Sequence, residues 1–542
     1  MTRIDDLTPE PGIPGLLLSE ANDVPGLDLL GLRAPAEAIA NRLMDGVTTV
    51  TPAVRYLAFR AWLILRYLEL GGIKNWEAFS AFAAKAEAVV AYGSQLAEDQ
   101  TSGVVGRNGA AVEVNKSGAS LTLKRLTRIL AINVYGGPSE ALGLGESSGD
   151  VPTLTSERGL PLAEAFGADP GVDDVLKKVS LEGEGQSLER SQLINFGTGF
   201  TIARPSPSER SVLIEAIIPK KAREKALHSE LNRIASYCLL LHLSTILKRV
   251  VQEEDVHKAV SQFSLAAIPL ELHPICDGWS QFVVRDLLVL IHEAAVANVL
   301  RQLSQAVGLE KRQSAQQVIQ ALVSQDIDSG LVGLGLNLNS SQPIRDLCAA
   351  VKDAFGETQE LRGIRRWSGK LSETLLLEKQ AWLHSADGLG LLPVAWVIAA
   401  NRLGPGIRDE KPQFDLNGQT GFSRIGVGAV VVPEVDIWVT STRSVRDVTG
   451  WLIQRSVEQH LRIAWSRLAR EPYKDVGLIR SDGDDWIYQK GFGAGRATSR
   501  LYQAVNWLRQ LELLDESGIS AKGAEVLSDG LATLRQGQGE TK

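Results

Sequence analysis

Residues 279–307, WSQFVVRDLLVLIHEAAVANVLRQLSQAV, run without a glycine or a proline. An uninterrupted stretch of this length with apolar residues at helical spacing commits the chain to a long α-helix. Arg285, Asp286, His292, Glu293 and Arg301 lie inside it. Neither this run nor any other reaches the roughly 18 consecutive apolar residues of a membrane span. Leu239–Val251 is broken by His242, Lys248 and Arg249, and Leu391–Ala400 is too short. With 44 % apolar and 22 % charged residues the chain has ample core material, which excludes wholesale disorder.

Further helices are expected where strong helix formers follow a start signal. Pro35 suits a first turn, and AVRYLAFRAWLILRYLEL after Pro52 is apolar round most of its circumference, as a core helix is, before Gly71-Gly72 ends it. Trp76–Ala97, Lys220–Gln252, Lys311–Ser324, Ile344–Phe355, Ser372–His384 and Val445–Leu468 read as helices too. Thr101–Leu123 reads as a loop or hairpin, Gly143–Pro219 as loops with scattered turns, and Ser329–Pro343 as a Gly- and Asn-rich seam. Val430–Val439 reads as a strand from its valine and isoleucine content. The expected fold class is mainly α, a multi-domain helical body with a C-terminal winged helix-turn-helix and little β structure. Its expected segments are an irregular arm over 1–30, helical domains over 31–145 and 146–328, a helical/β connecting domain over 329–440, and a winged-helix domain over 441–542. At about 150 residues per domain, 542 residues allow three to four.

A net charge of −7 excludes a uniformly basic coat protein, so nucleic-acid contact must come from a local patch. Cys238, Cys276 and Cys348 are too scattered for a disulfide framework or metal knuckle, which points to a reducing, cytoplasmic setting. The acidic, proline-rich start MTRIDDLTPEPGIPG lacks the order of a signal peptide.

The last 90 residues or so carry one such patch. A helix is expected over Ala497–Leu511, followed by LLDESGIS as a hairpin and a closing helix over Ala521–Leu534. LELLDESGISAKGAEVL after a helix resembles the recognition helix, wing and last helix of bacterial winged-helix domains. Leu501, Ala504, Val505, Leu508 and Leu511 form an inward face, while Arg496, Ser499, Arg500 and Gln503 gather on the first turns, with Lys490 before the helix and Arg509 near its end. Arginine and glutamine there suit phosphate contact, or guanine and adenine edges. Asp482, Asp484 and Asp485 oppose DNA on that side, and a winged helix used only for protein contacts is the alternative.

LGLRAPAEAIANRLMDGVTTVTPAVRYLAFRAW (30–62), GVVGRNG (103–109) and YGGPSEALGL (135–144) resemble an uncharacterised family of bacterial proteins found in antiviral defence islands. The family's Leu-x-Pro-Gly-x-(Ser/Thr) turn is replaced by Met44-Asp45-Gly46-Val47-Thr48, which lacks the proline. The resemblance implies a mostly helical protein acting beside helicase or nuclease partners, and implies no activity for this chain. On the residues alone, Arg55, Arg60 and Arg66 on one apolar helix need partners. Internal carboxylates such as Glu69 or Asp45, or a ligand phosphate, would serve.

No catalytic or cofactor signature emerges. His292-Glu293 lacks the second histidine of a zinc protease, since Val296 stands there, and the seven histidines show no metal-ligand spacing. Neither GLVGLGLN (330–337) nor GVGAVVVP (426–433) fits a phosphate- or dinucleotide-binding loop. Glu434 and Asp436 are the one local carboxylate pair of the kind a metal nuclease uses, without the expected lysine. A second basic patch, Arg362, Arg365, Arg366, Trp367 and Lys370, mixes cations with an aromatic ring, as phosphate tracking with base stacking requires. A solvated connector with Trp367 in the core is the alternative. The expected function is a non-enzymatic DNA-binding or scaffolding subunit of a multi-protein bacterial antiviral system. A purely protein-binding adaptor is the alternative, and a divergent metal nuclease a third.

Overall fold

A computed structural model describes residues 28–50, 52–98, 103–116, 118–146, 150–172, 174–181, 185–262, 267–308, 311–379, 385–409, 425–470 and 477–540. The structure is mainly helical, with five small antiparallel sheets among the described residues. No described helix is long and apolar enough to cross a membrane. The chain divides into two compact units, neither continuous in sequence. One, here the flanking unit, comprises residues 38–260, 264–280 and 498–542; the other, the central unit, comprises residues 1–37, 261–263 and 281–497. The expected 441–542 module is therefore split after Ala497, and none of the divisions falls at 145, 328 or 440.

In the flanking unit, Tyr56–Glu69 is the expected core helix, buried from Tyr56 to Ile64, and it packs on Gly159–Gly167. The Asn75 side chain accepts from Ala78 N–H and starts the helix Trp76–Leu96, which crosses Arg190–Gly199. Glycines permit that close crossing: a Cβ on Gly197 would sit 2.0 Å from the Gly93 carbonyl oxygen. Leu227–Leu247 packs on the last helix, Ala521–Glu540, where a Cβ on Gly530 would meet Cys238 Sγ at 2.5 Å. Arg55 is buried and ion-paired, donating to Glu209 at 2.7 and 2.9 Å and to Asp169, with its guanidinium 4.4 Å from the Phe200 ring centre. Arg66 pairs with Glu69, as expected.

The central unit is built round the long helix, observed as His273–Ser304 and belonging to this unit from Gln281 onward. Leu391–Arg408 and Val445–Arg470 pack against each other. His292 lies wholly buried, accepting from Trp396 Nε1–H at Nε2 (2.9 Å) and meeting Ser456 Oγ at Nδ1 (2.8 Å). Ser456 donates its own proton to the Leu452 carbonyl, so Nδ1 must be the donor and the ring is neutral. Burial pushes its pKa down to about 3. Trp396, Trp438 and Trp451 close the core beside it.

Several expectations are corrected. Val430–Val439 is helical, a π-turn over Val427–Val431 leading into Val432–Trp438. Pro433 sits in the first turn, and Val432, Val435 and Trp438 share one buried face, so packing outweighs β-propensity. Thr101–Leu123 contains a helix, Arg107–Lys116, and the short strand Ser120–Thr122. The Ser329–Pro343 seam opens with a helix, Asp328–Gly333. Of Lys311–Ser324, only Ala315–Val323 is helical; Arg312–Ser314 is a strand on the edge of the hairpin Ile479–Asp482/Asp485–Tyr488. Helix Ser372–His384 is observed as Glu373–Glu378, and His384 lies outside the described residues.

Candidate nucleic-acid interface

The C-terminal helix forms later than expected, over Leu501–Gln510, with Leu501, Ala504, Val505, Trp507 and Leu508 on its buried face. Arg496 and Ser499 therefore precede it, and Arg500 is its N-cap in a left-handed conformation (φ 66°). A non-glycine residue adopts that backbone only when its surroundings hold it there. Here Arg500 donates to the Val47 carbonyl. Gln503 donates to the Thr49 carbonyl at 3.3 Å, and Gln510 bonds both Val54 N–H and the Pro52 carbonyl at 2.9 Å. Ser499 is buried and accepts from Leu501 N–H.

Arg496 lies in the central unit. Its Nε donates to Asp286 at 2.8 Å, while Ala497 N–H donates to the other Asp286 oxygen at 2.6 Å. One helical stretch further on, Glu293 receives Arg33 through two 2.6 Å bonds and Gly495 N–H at 3.0 Å. Burial raises the pKa of both carboxyls, against the pull of their arginines. These two acids, Glu293 weighed in the sequence only beside His292 and Asp286 only as a charge on the helix, thus clamp the segment before the expected recognition helix. Four of the six residues expected at DNA are tied inward. Lys490 and Arg509 are exposed.

Arg509 shares a face with Tyr502 and Asn506, an i, i+4, i+7 stripe that helical spacing would have revealed. Tyr502 is 62 % exposed. Arg509, Asn506 and Gln510 line a small cleft of about 320 Å³ with Arg204 and Glu512. Glu512 is also ion-paired with Arg210. The hairpin that follows, Leu514–Asp515 paired with Gly518–Ile519, turns through Glu516 and Ser517 and so carries an acidic tip. Residues 498–542 hold five lysines and arginines against six aspartates and glutamates, a poor balance for attracting phosphate.

The second patch is a hairpin, Thr358–Leu361 paired with Ile364–Trp367. Arg362 and Gly363 turn it with φ values of 56° and 83°, as a two-residue type I′ turn requires. Trp367 is in the core, stacked on Phe355 at 3.9 Å and bonded to the Leu371 carbonyl, so base stacking on it is ruled out by its burial. Arg366 is 2 % exposed. Arg365 is half-buried and reaches Asn401, while Arg362 and Lys370 are exposed. Behind the hairpin, Arg402 lies 3.5 Å from the Trp367 ring centre and forms two bonds to Glu373, at 2.8 and 2.7 Å.

Glu434 and Asp436 sit on a helix, where positions two apart point about 200° apart and do not converge on one ion. Asp436 is paired with Arg408. Among the described residues no group of three or more His, Cys, Asp or Glu side chains is placed to hold a metal ion. Cys238, Cys276 and Cys348 are buried and unbridged. Compared with protein-family models, curated proteins and solved structures, the chain matches none.

Proposed function

We propose that this protein is a protein-binding adaptor that assembles partner subunits, with the Tyr502–Asn506–Arg509 stripe as a contact surface. The observation that carries this reading is the fate of the expected DNA-facing side chains. Arg496, Arg500 and Gln503 bond inside the protein, and the exposed stripe beside an acidic hairpin is tyrosine, asparagine and arginine. Tyrosine and arginine are the residues most often found at the energetic centre of protein interfaces. The resemblance to defence-island proteins makes a helicase or nuclease of a bacterial antiviral system the partner class, and the cytoplasm the setting.

Direct contact with the DNA backbone is the second reading, and Arg204 with Arg509 in one cleft favours it. In it, Leu501–Gln510, the hairpin and Ala521–Glu540 would serve as the recognition helix, wing and last helix of a winged helix. Titrating labelled single- and double-stranded DNA with the purified protein across a salt series separates the two. The adaptor reading expects no binding at about 50 mM salt, where phosphate contacts are strong. Binding that falls steeply with salt, and weakens in Arg204→Ala and Arg509→Ala, would replace it with the DNA reading.

A further inference from the structure

Arginines that turn inward in this protein meet carboxylates in one recurring way. The edge formed by Nε and Nη2 faces an acid, which accepts from both nitrogens at once. Glu209 accepts from that edge of Arg55 at 2.9 and 2.7 Å, and Glu373 from Arg402 at 2.8 and 2.7 Å. Glu293 takes the same edge of Arg33 through its two 2.6 Å bonds. Arg285, on the long helix of the central unit, departs from the pattern. It is 6 % exposed, and its Nε and Nη2 are sealed from solvent with no bond to any described residue.

The acids nearest in sequence are committed elsewhere. Asp286 follows directly, but one residue is about 100° of helix, and its carboxylate faces Arg496 and Ala497. Glu293 holds Arg33 and Gly495. Among the described residues no acid pulls the Arg285 pKa upward; burial acts on it unopposed and lowers it to about 10. The guanidinium is therefore still charged at neutral pH. Water can satisfy its hydrogen bonds but not balance its charge, and a buried ion without a counter-charge is heavily penalised. One turn earlier on the same helix face stands Gln281, also more than nine-tenths buried, whose amide bonds to no described residue.

We propose that the Nε–Nη2 edge of Arg285 binds a small oxyanion from solution, a carboxylate or a phosphate. The anion supplies the counter-charge that Glu209 and Glu373 supply to Arg55 and Arg402. Two oxygens on one carbon or phosphorus match two parallel donors, whereas a monatomic ion such as chloride meets that fork at a single point. Gln281 places a further amide donor on the same face. This site is independent of the adaptor reading and stands or falls separately from it.

The test is a melting series on the full chain at fixed pH and ionic strength, with chloride replaced stepwise by acetate or by phosphate. The parent's midpoint should rise and saturate with at least one of the two, and calorimetric titration of that anion should give one site per chain. Arg285→Met keeps a long side chain without the charge. It should melt at least as high as the parent in chloride, and the saturable rise should vanish. Arg285→Lys keeps the charge but loses the fork, so the anion should bind at least about tenfold more weakly; it carries the test should the methionine variant fold poorly. A response to phosphate alone identifies a phosphate ligand, and a response to acetate alone a carboxylate. No saturable rise with either anion, or the same rise in parent and Arg285 variants, would overturn the proposal.

Discussion

The hairpin over residues 358–367 and the helix over residues 501–510 both place arginine near aromatic rings in sequence, and the fold treats them differently. In the hairpin the ring goes inward: Trp367 is wholly buried and Arg402 lies over it, held by Glu373. In the helix the two rings part: Trp507 is wholly buried, while Tyr502 is exposed on a stripe with Asn506 and Arg509. Composition alone does not separate these outcomes. One difference is a carboxylate from another segment beside the buried guanidinium, which is tolerated only with a partner. Glu373 supplies one behind the hairpin, and the exposed stripe needs none.

The sharpest break of this comparison is Glu373→Ala. It leaves the fully buried Arg402 with carbonyl partners only, at Ser261 and Arg365, and without a counter-charge. Breaking a buried pair in this way costs about 3–5 kcal/mol. Urea denaturation should show a loss of that order, and a loss below about 1 kcal/mol, the median worth of a surface pair, would mean that the pair is far less buried than described.

A buried polar group without charge makes the next test. The neutral His292 is held below its ordinary pKa of 6.5, at about 3, by burial. The unfolded chain therefore binds a proton that the folded chain refuses, so this contribution is present above pH 6.5 and is lost as pH falls toward 3. At about 1.4 kcal/mol per unit, stability should drop by about 2 kcal/mol between pH 6.5 and pH 5. His292→Gln should flatten that slope relative to the parent when both are melted over the same pH range.

Arg496 tests the intermediate case, being partly exposed with a wholly buried partner, Asp286. Arg496→Ala should destabilise by roughly 1–2 kcal/mol, since Asp286 keeps the Ala497 N–H bond and water reaches the vacated side. The loss should appear in denaturation midpoints with DNA absent, because the side chain serves the fold. An unchanged midpoint would return Arg496 to the list of ligand contacts.

The long helix, the core helix after Pro52 and the amphipathic last helices were legible because apolar spacing and glycine or proline stops depend on neighbours in sequence. The pairings that decide the candidate site were not. Asp286 and Glu293 show in the sequence as two charges seven apart on one helix, and nothing local says that segments 33 and 495–497 arrive to meet them. Val430–Val439 failed for a related reason: valine-rich runs favour strands in isolation, and only packing from Leu391–Arg408 makes a helical face of Val432, Val435 and Trp438. Likewise the division after Ala497 cuts through a segment whose element order reads as one module.

The smallest stability effect is expected at the residues given the largest functional weight. Tyr502 and Arg509 are exposed, and neither side chain is bonded to another described residue. A Tyr502→Ala, Arg509→Ala double variant should therefore melt within about 0.5 kcal/mol of the parent, as surface substitutions away from caps and networks do. Partner binding should respond quite differently, since truncating a central interface tyrosine or arginine costs about 2 kcal/mol or more, roughly thirtyfold in affinity. Measuring both on the same preparations separates the roles. A variant that melts normally but loses its partner places the stripe at the interface. A variant that melts several degrees lower shows that the outward-facing ring, like Trp367, belongs to the fold after all.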